Sequence, residues 1–143
     1  MTQPLRIALL LSLGGLTVSG GFARLANIPQ ADQKVQVIEV SAKKYEYSPS
    51  PIRVKRGAKV QLRITALDRK HGFKIDPSPD GSDKKNDAGL IFSSNNDDCF
   101  KLEKGIPTVV EFVARTTGTY SFHCCNRCGL GHGGMKGQVV VEP

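Results

Sequence analysis

The chain has 143 residues, 39% of them hydrophobic and 23% charged, which suits one globular domain with a leader and excludes two full domains or a disordered chain. Its formal net charge of +7 would attract a nucleic acid, an anionic membrane or an acidic protein. The lysines and arginines are scattered and mostly alternate along predicted strands. A solvated outer face therefore explains most of them, and docking to an acidic partner protein is the functional alternative.

The first predicted element is a leader over residues 1–23. Arg6 precedes an uncharged run that ends in the small-x-small sequence Gly21-Phe22-Ala23. This is the pattern of a signal peptide, and an uncleaved membrane anchor is the alternative. Either form predicts a periplasmic or extracellular domain, where thiols can oxidise and nucleic acid is not an expected partner. Residues 24–34 are a predicted linker, and residues 35–143 are the predicted domain.

The domain is predicted to be all-β, with about seven strands and no helix. Alternation is clearest from Lys59 to Ala66, where every second side chain is apolar. The other predicted strands lie near residues 35–47, 52–55, 71–75, 108–114, 119–122 and 138–141, with a brief strand or hydrophobic plug at 90–92. Two polar stretches, residues 76–89 and 93–98, are predicted loops. This spacing favours a small Greek-key sandwich.

The last predicted inter-strand loop gathers four soft or borderline metal ligands in the pattern C-x3-C-x3-H-x2-M: Cys124, Cys128, His132 and Met135. Two thiols, an imidazole and a thioether form a set that selects copper over hard cations. Four glycines within residues 129–134 allow the loop to turn several side chains toward one centre. A second imidazole is needed to complete the set. His71 is the predicted source, because a sandwich can bring two strand-end loops to one pole.

The pattern from Tyr120 to Met135, with a glycine after the second thiol, resembles the dinuclear copper (CuA) motif of cytochrome c oxidase subunit II and nitrous-oxide reductase. Upstream, Ile52-x-Val54-x-x-Gly57-x-x-Val60 and His71-Gly72-Phe73 resemble the cupredoxin framework of the same family. The resemblance covers about residues 35–143. It implies a Greek-key cupredoxin fold and an electron carrier, with a cytochrome or an oxidase as redox partner.

The resemblance also implies a set of metal ligands: His71, Cys124, Asn126, Cys128, His132 and Met135. The two thiolates would bridge two copper ions. His71 and Met135 would complete one copper, and His132 with the backbone carbonyl of Asn126 would complete the other. Bridging thiolates share the odd electron between the metals, which favours fast electron transfer.

Two departures from the family pattern limit what the resemblance implies. Asn126 stands where the family usually has Glu, and the chain contains no Trp for an aromatic electron-entry residue. No two-helix membrane hairpin is predicted either. These features favour a free-standing copper domain, not an enzyme on its own, over a core oxidase subunit. Contact with a membrane is expected only through the leader, if it is uncleaved.

Several alternatives stay open at this stage. A mononuclear blue-copper site would use His71, Cys128, His132 and Met135. Cys124 would then not be a ligand, and in one arrangement it would pair with Cys99. A copper carrier or assembly factor for an oxidase is the alternative function. Cys99 and Cys125 are predicted to form a disulfide, or else to act as extra ligands or a redox-active pair. His123 is predicted to point away from its neighbour Cys124.

Overall fold

The computed structural model describes residues 34–83, 88–94 and 99–143. The predicted leader over residues 1–23 lies outside these ranges, as does nearly all of the predicted linker and part of each predicted polar loop. Among the described residues, no helix is long and apolar enough to cross a membrane.

The described residues form ten strands and one short 3-10 turn at His132–Gly134. In chain order the strands are β1 (Gln36–Lys43), β2 (Glu46–Ser48), β3 (Ile52–Lys55), β4 (Lys59–Ala66), β5 (His71–Ile75), β6 (Leu90–Phe92), β7 (Phe100–Leu102), β8 (Thr108–Ala114), β9 (Gly118–His123) and β10 (Lys136–Glu142). The all-β prediction is confirmed over this part of the chain, with more strands than the seven or so expected.

The strands form two five-stranded sheets. One sheet has the order β2-β1-β4-β8-β6, and the other has the order β3-β10-β9-β5-β7. β1 runs parallel to β4, and β10 runs parallel to β3, while the other neighbours are antiparallel. Because non-consecutive strands lie side by side in both sheets, the chain crosses repeatedly between the two layers, as in a sandwich.

The core lies between the sheets and follows the alternation predicted from the sequence. In β4 every second residue is fully buried: Val60, Leu62, Ile64 and Ala66. β8 lies between β4 and β6 and buries Val110, Phe112 and Ala114 toward the same core. The facing sheet contributes buried aromatic side chains, including Phe73, Tyr120 and Phe122. Each large side chain buried in this way stabilises the fold by about 1.5–3 kcal/mol.

The three shortest strands account for the difference in strand number. The sequence predicts that Tyr47 continues the first strand, but β2 folds back antiparallel on β1 after a turn at residues 44–45. β6 is a strand rather than a plug, and it pairs with β8. β7 is absent from the predicted strands. With three residues and one buried side chain it shows no alternation, and its pairing with His71–Phe73 defines it.

The strand register brings three connections to one end of the sandwich. β5 pairs antiparallel with β9 through Lys74 and His123, so the start of β5 lies level with the residues that follow β9. β10 pairs with β9 from Lys136 onward, and the ladder extends one step further through the bond from Cys124 N–H to Met135 O. His71 and both ends of the β9–β10 connection therefore lie at the same pole.

The substitution Leu62→Ala tests whether the core lies between the two sheets. Replacing Leu62 with alanine is expected to lower the free energy of unfolding by about 2–5 kcal/mol, because a fully buried side chain leaves a cavity. Val109→Ala, on the neighbouring strand but 48% exposed, is the control and is expected to cost less than about 1 kcal/mol. Urea denaturation of the metal-free protein measures both. Equal losses would contradict the core described above.

Candidate metal centre

Three of the predicted ligand side chains meet in the interior. A ring nitrogen of His71 and the Sγ atoms of Cys124 and Cys128 all lie within 4.8 Å of one another, and all three residues are buried. The two Sγ atoms are 3.4 Å apart, and both cysteines are free. Two reduced thiols and an imidazole at this spacing can converge on a soft cation.

The other predicted ligand groups surround the thiol pair. His132 Nδ1 lies 3.8 Å from the Sγ of Cys128, and Met135 Sδ lies 3.9 Å from the same atom. The backbone oxygen of Asn126 lies 3.1 Å from the Sγ of Cys124. Met135 is fully buried, whereas His132 is partly exposed. The structure thus brings all six predicted groups to one cluster.

Asp68, which the sequence reasoning left as part of a charged turn, orients His71. Burial alone would raise the pKa of Asp68, but hydrogen bonds from His71 and from the backbone N–H groups of Lys44 and Arg69 lower it to about 2. An ionised carboxylate only accepts, so His71 Nε2–H donates to Asp68 Oδ1 at 2.7 Å. The other ring nitrogen, Nδ1, then carries the lone pair. It is buried and has no hydrogen-bond partner in the described structure.

The thiolate form of Cys128 is unfavourable in this pocket without a cation. Burial, followed by the hydrogen bond with Cys124, raises the pKa of the Cys128 thiol to about 11, although nearby Arg69 acts in the opposite direction. A thiolate is the form that binds a metal, and a bound cation favours it over the thiol. A thiolate at Cys128 is therefore expected only together with a bound positive ion.

Gly72 connects the thiol pair to the Cys99–Cys125 disulfide, which the structure confirms. The Gly72 N–H donates to the Sγ of Cys124 at 3.4 Å. A Cβ at Gly72 would lie 2.6 Å from the Sγ of Cys99 and 2.7 Å from the backbone nitrogen of Asn126. No real side chain fits at such distances. The sequence analysis included this glycine in His71-Gly72-Phe73, but the close contacts that require a glycine there are visible only in the structure.

Tyr47 fixes the other side of the same glycine. Its hydroxyl donates a short hydrogen bond to the backbone oxygen of Gly72. Burial, and then the neighbouring Cys124, raise the pKa of Tyr47, so the hydroxyl stays a donor. The Tyr47 ring also stacks edge-on against Phe73 and Phe122. The strand that begins with His71 is thus held by core aromatics.

The remaining predictions about single residues have mixed outcomes. His123 is exposed, as predicted for a residue that points away from Cys124. The pairing of Cys99 with Cys124 in the mononuclear alternative is wrong, because Cys99 bonds Cys125. Cys125 is likewise not an extra ligand, since its sulfur is in that disulfide. The glycines of the loop differ in role: Gly131 contacts the ring of Tyr45, whereas residues 133–134 have open space.

Comparison with known proteins gives the fold a family. Residues 16–141 match the cupredoxin-like domain. The chain is 27% identical to cytochrome c oxidase subunit 2 of Thermus thermophilus over 123 residues, which is 80% of this chain and 78% of that protein. A second match, to the same subunit from a named strain of that organism, covers 62% of the relative's length.

Solved structures agree on the fold. The periplasmic domain of subunit II of cytochrome oxidase from Bradyrhizobium japonicum superposes with a TM-score of 0.57 at 16% identity, over 80% of this chain and 87% of that one. Reduced auracyanin from Roseiflexus castenholzii gives a TM-score of 0.51 at 20% identity, over 76% of this chain and 98% of that one. The sandwich is therefore of the cupredoxin type.

Gly72→Ala tests the close approach at the centre. The added methyl group must displace the disulfide or the Asn126 backbone, so the affinity for Cu(I) is expected to fall about 10–100-fold, the range seen when groups supporting metal ligands are altered. Gly133→Ala, in the same loop but with no atom within 4 Å, should bind as the unmodified chain does. Competition with a chelator measures both. Equal affinities for the two variants would refute the proposed role of Gly72.

Proposed function

We propose that this chain, which belongs to the cupredoxin-like domain family, binds copper at the Cys124–Cys128 pair and transfers electrons outside the cytoplasm. The observation that carries the proposal is the meeting of His71 with two free thiols in the interior. Within the described structure the buried Nδ1 of His71 has no hydrogen-bond partner, and a buried polar atom without a partner is costly unless a ligand satisfies it.

The donor set fits copper better than zinc. The buried Nδ1 of His71 has no protein partner in the described structure, so a cation would satisfy it. The thiols stay reduced at 3.4 Å although another cysteine pair in the same chain is oxidised. Zinc would accept the thiolates and imidazoles but gains little from the thioether of Met135, which suits copper.

We further propose two copper ions rather than one. Both thiols are buried and lie close to additional donors, so neither is left over. His71 and Met135 would hold one copper, and His132 with the carbonyl of Asn126 would hold the other. The 3.1 Å separation between that carbonyl and the Sγ of Cys124 supports the pairing. A mononuclear site would leave Cys124 as a buried thiol without a function.

When bound, copper supplies a one-electron couple, and the chain supplies a rigid frame. Asp68 keeps His71 in one ring orientation through Nε2. The disulfide and Gly72 fix the start of the ligand loop, and the ladder between β9 and β10 fixes its end at Met135. Ligands held this firmly change position little when charge changes, which lowers the reorganisation required for electron transfer.

The proposed setting follows from the leader and the relatives. A leader over residues 1–23 would direct the domain to the periplasm or the cell exterior, with residues 24–34 as a linker. A cytochrome or an oxidase is the proposed redox partner, since the relatives are oxidase subunits. The chain is proposed to be an electron carrier rather than an enzyme on its own. A copper carrier would require accessible ligands, and the burial of both thiols disfavours it.

Copper loading tests the number of ions. The full chain loaded with copper is expected to hold two ions per chain, and its electron paramagnetic resonance spectrum should show one electron shared by two copper nuclei. Metal analysis and the spectrum measure this together. One ion with a hyperfine pattern from a single nucleus and an intense blue band would replace the dinuclear proposal with the mononuclear one. Rapid copper loss to a mild chelator would favour a carrier.

Cys128→Ser tests the bridging role. Its Sγ lies close to Cys124, His132 and Met135, so the variant is expected to lose the colour of the copper-loaded protein. The control removes the other cysteine pair together, Cys99→Ser with Cys125→Ser. That variant is expected to keep the colour but to lose about 3 kcal/mol of stability, because a cross-link between residues 26 positions apart is gone. Absorption spectra and denaturation curves measure both effects. Bleaching of the control would show that the disulfide belongs to the metal site.

A further inference from the structure

An open cleft borders the metal centre, between the turn before β5 and the first half of the β9–β10 connection. Its lining includes Cys128 together with three basic residues: Arg69, Lys70 and Arg127. Asp68 is the acidic residue of the lining, and its carboxylate already accepts from His71 and two backbone N–H groups. The cleft therefore presents positive charge beside Cys128, a residue of the proposed copper site.

The two arginines retain donors for a ligand. Arg69 Nη1 donates to the backbone oxygen of Cys128 at 3.3 Å, which fixes this guanidinium beside the centre. Arg127 is exposed, and its side chain makes no hydrogen bond or ion pair within the described structure. Lys70, in contrast, pairs with Glu103 at 2.6 Å. Arg69 and Arg127 thus carry the available charge, and a guanidinium fork matches a carboxylate in a bidentate geometry.

We propose that this cleft docks an acidic segment of the protein that exchanges electrons with the centre. The inference rests on the proposed function and adds the docking face and the charge of the partner. A carboxylate held by Arg69 and Arg127 would place the partner against the segment that contains Cys128, which shortens the electron path. The chain's overall charge of +7 would steer an acidic partner toward it before contact.

Other basic side chains of the domain are less suited to this role. Several of them pair with acids on the outer faces of the sheets: Lys43 with Glu46, Arg53 with Glu142, and Arg63 with Glu39. Charges in such pairs neutralise one another. In the cleft, two arginines without acidic partners among the described residues lie beside Cys128, a proposed copper ligand. A partner bound there would therefore lie next to the metal centre.

A peptide titration tests the recognition without copper. Isotope-labelled, metal-free protein is titrated with a hexaglutamate peptide in about 0.1 M salt, and backbone amide signals are followed by NMR. The largest changes are expected at residues 69–70 and 126–129 and should weaken as salt is added. Arg127→Glu is expected to reduce the affinity at least about tenfold, since charged hydrogen bonds are lost.

Arg56→Glu is the matched control, because it makes the same change of charge on an exposed residue. Arg56 lies beyond the opposite end of β4, roughly 26 Å away for eight strand residues and more than the screening length at about 0.1 M salt. Its effect is expected to be less than about twofold. Amide changes spread over the whole basic surface, or equal losses in the two variants, would overturn the proposal.

A kinetic experiment distinguishes failure of the docking proposal from failure of the proposed copper-binding function. Reduced, copper-loaded protein is oxidised by hexacyanoferrate(III), an anion, and by tris(1,10-phenanthroline)cobalt(III), a cation. Each probe accepts one electron. At low salt, Arg127→Glu is expected to lower the rate constant for the anion about tenfold and to raise the rate constant for the cation. Oxidation of the protein by both probes without these differences would overturn the docking face and leave the function intact. Failure to bind copper would instead overturn the function, whereas the peptide result would stand.

Discussion

Two reduced sulfur atoms held 3.4 Å apart in the protein interior are the constraint on which the rest of the site depends. Buried thiols at this distance are close enough to interact and not bonded to one another. Burial and mutual contact raise the pKa of Cys128, which makes a bare thiolate unfavourable. The neighbouring structure must therefore fix both side chains while leaving their inner faces open to a cation.

Gly72 does much to fix the Cys124 side chain, because it contacts Cys124, Tyr47 and the disulfide together. Its N–H points to the Sγ of Cys124, its carbonyl accepts from Tyr47, and its missing side chain leaves room for the Cys99–Cys125 disulfide. The disulfide joins the ligand loop to the start of β7, which pairs with β5. The two sides of the site are consequently joined by the disulfide, by the pairing of β5 with β7 and by the hydrogen bonds of Gly72.

The electrostatics of the pole are divided between its interior and its surface. Inside, Asp68 keeps the proton of His71 on Nε2 and leaves Nδ1 for a ligand. Outside, Arg69 contacts the carbonyl of Cys128 and belongs to the cleft that we propose as a docking face. Arg69 also lowers the pKa of Cys128 in opposition to burial. The same turn thus orients an internal donor and presents charge to a partner.

The sequence alone was enough to predict the donor groups of the candidate site and the class of the fold. The spacing of Cys124, Cys128, His132 and Met135 places soft donors in one loop, and side-chain chemistry favours copper wherever such a loop folds. Period-two alternation in β4 likewise predicted its buried face, because side-chain direction along a strand is a local property. The disulfide between Cys99 and Cys125 was one of several options that the sequence left open.

Only the tertiary structure decided how distant residues meet. Gly72 and Cys124 are 52 positions apart, and their contact depends on the pairing of β5 with β9. The role of Gly72 follows from that pairing, and β7 exists because it pairs with β5. Asp68 contacts His71 only three residues away, but its role depends on the place of His71 beside the two thiols. Strand register and layer packing are set by the whole core at once. A residue whose function is to hold another in place therefore cannot be recognised until the core has placed its neighbour.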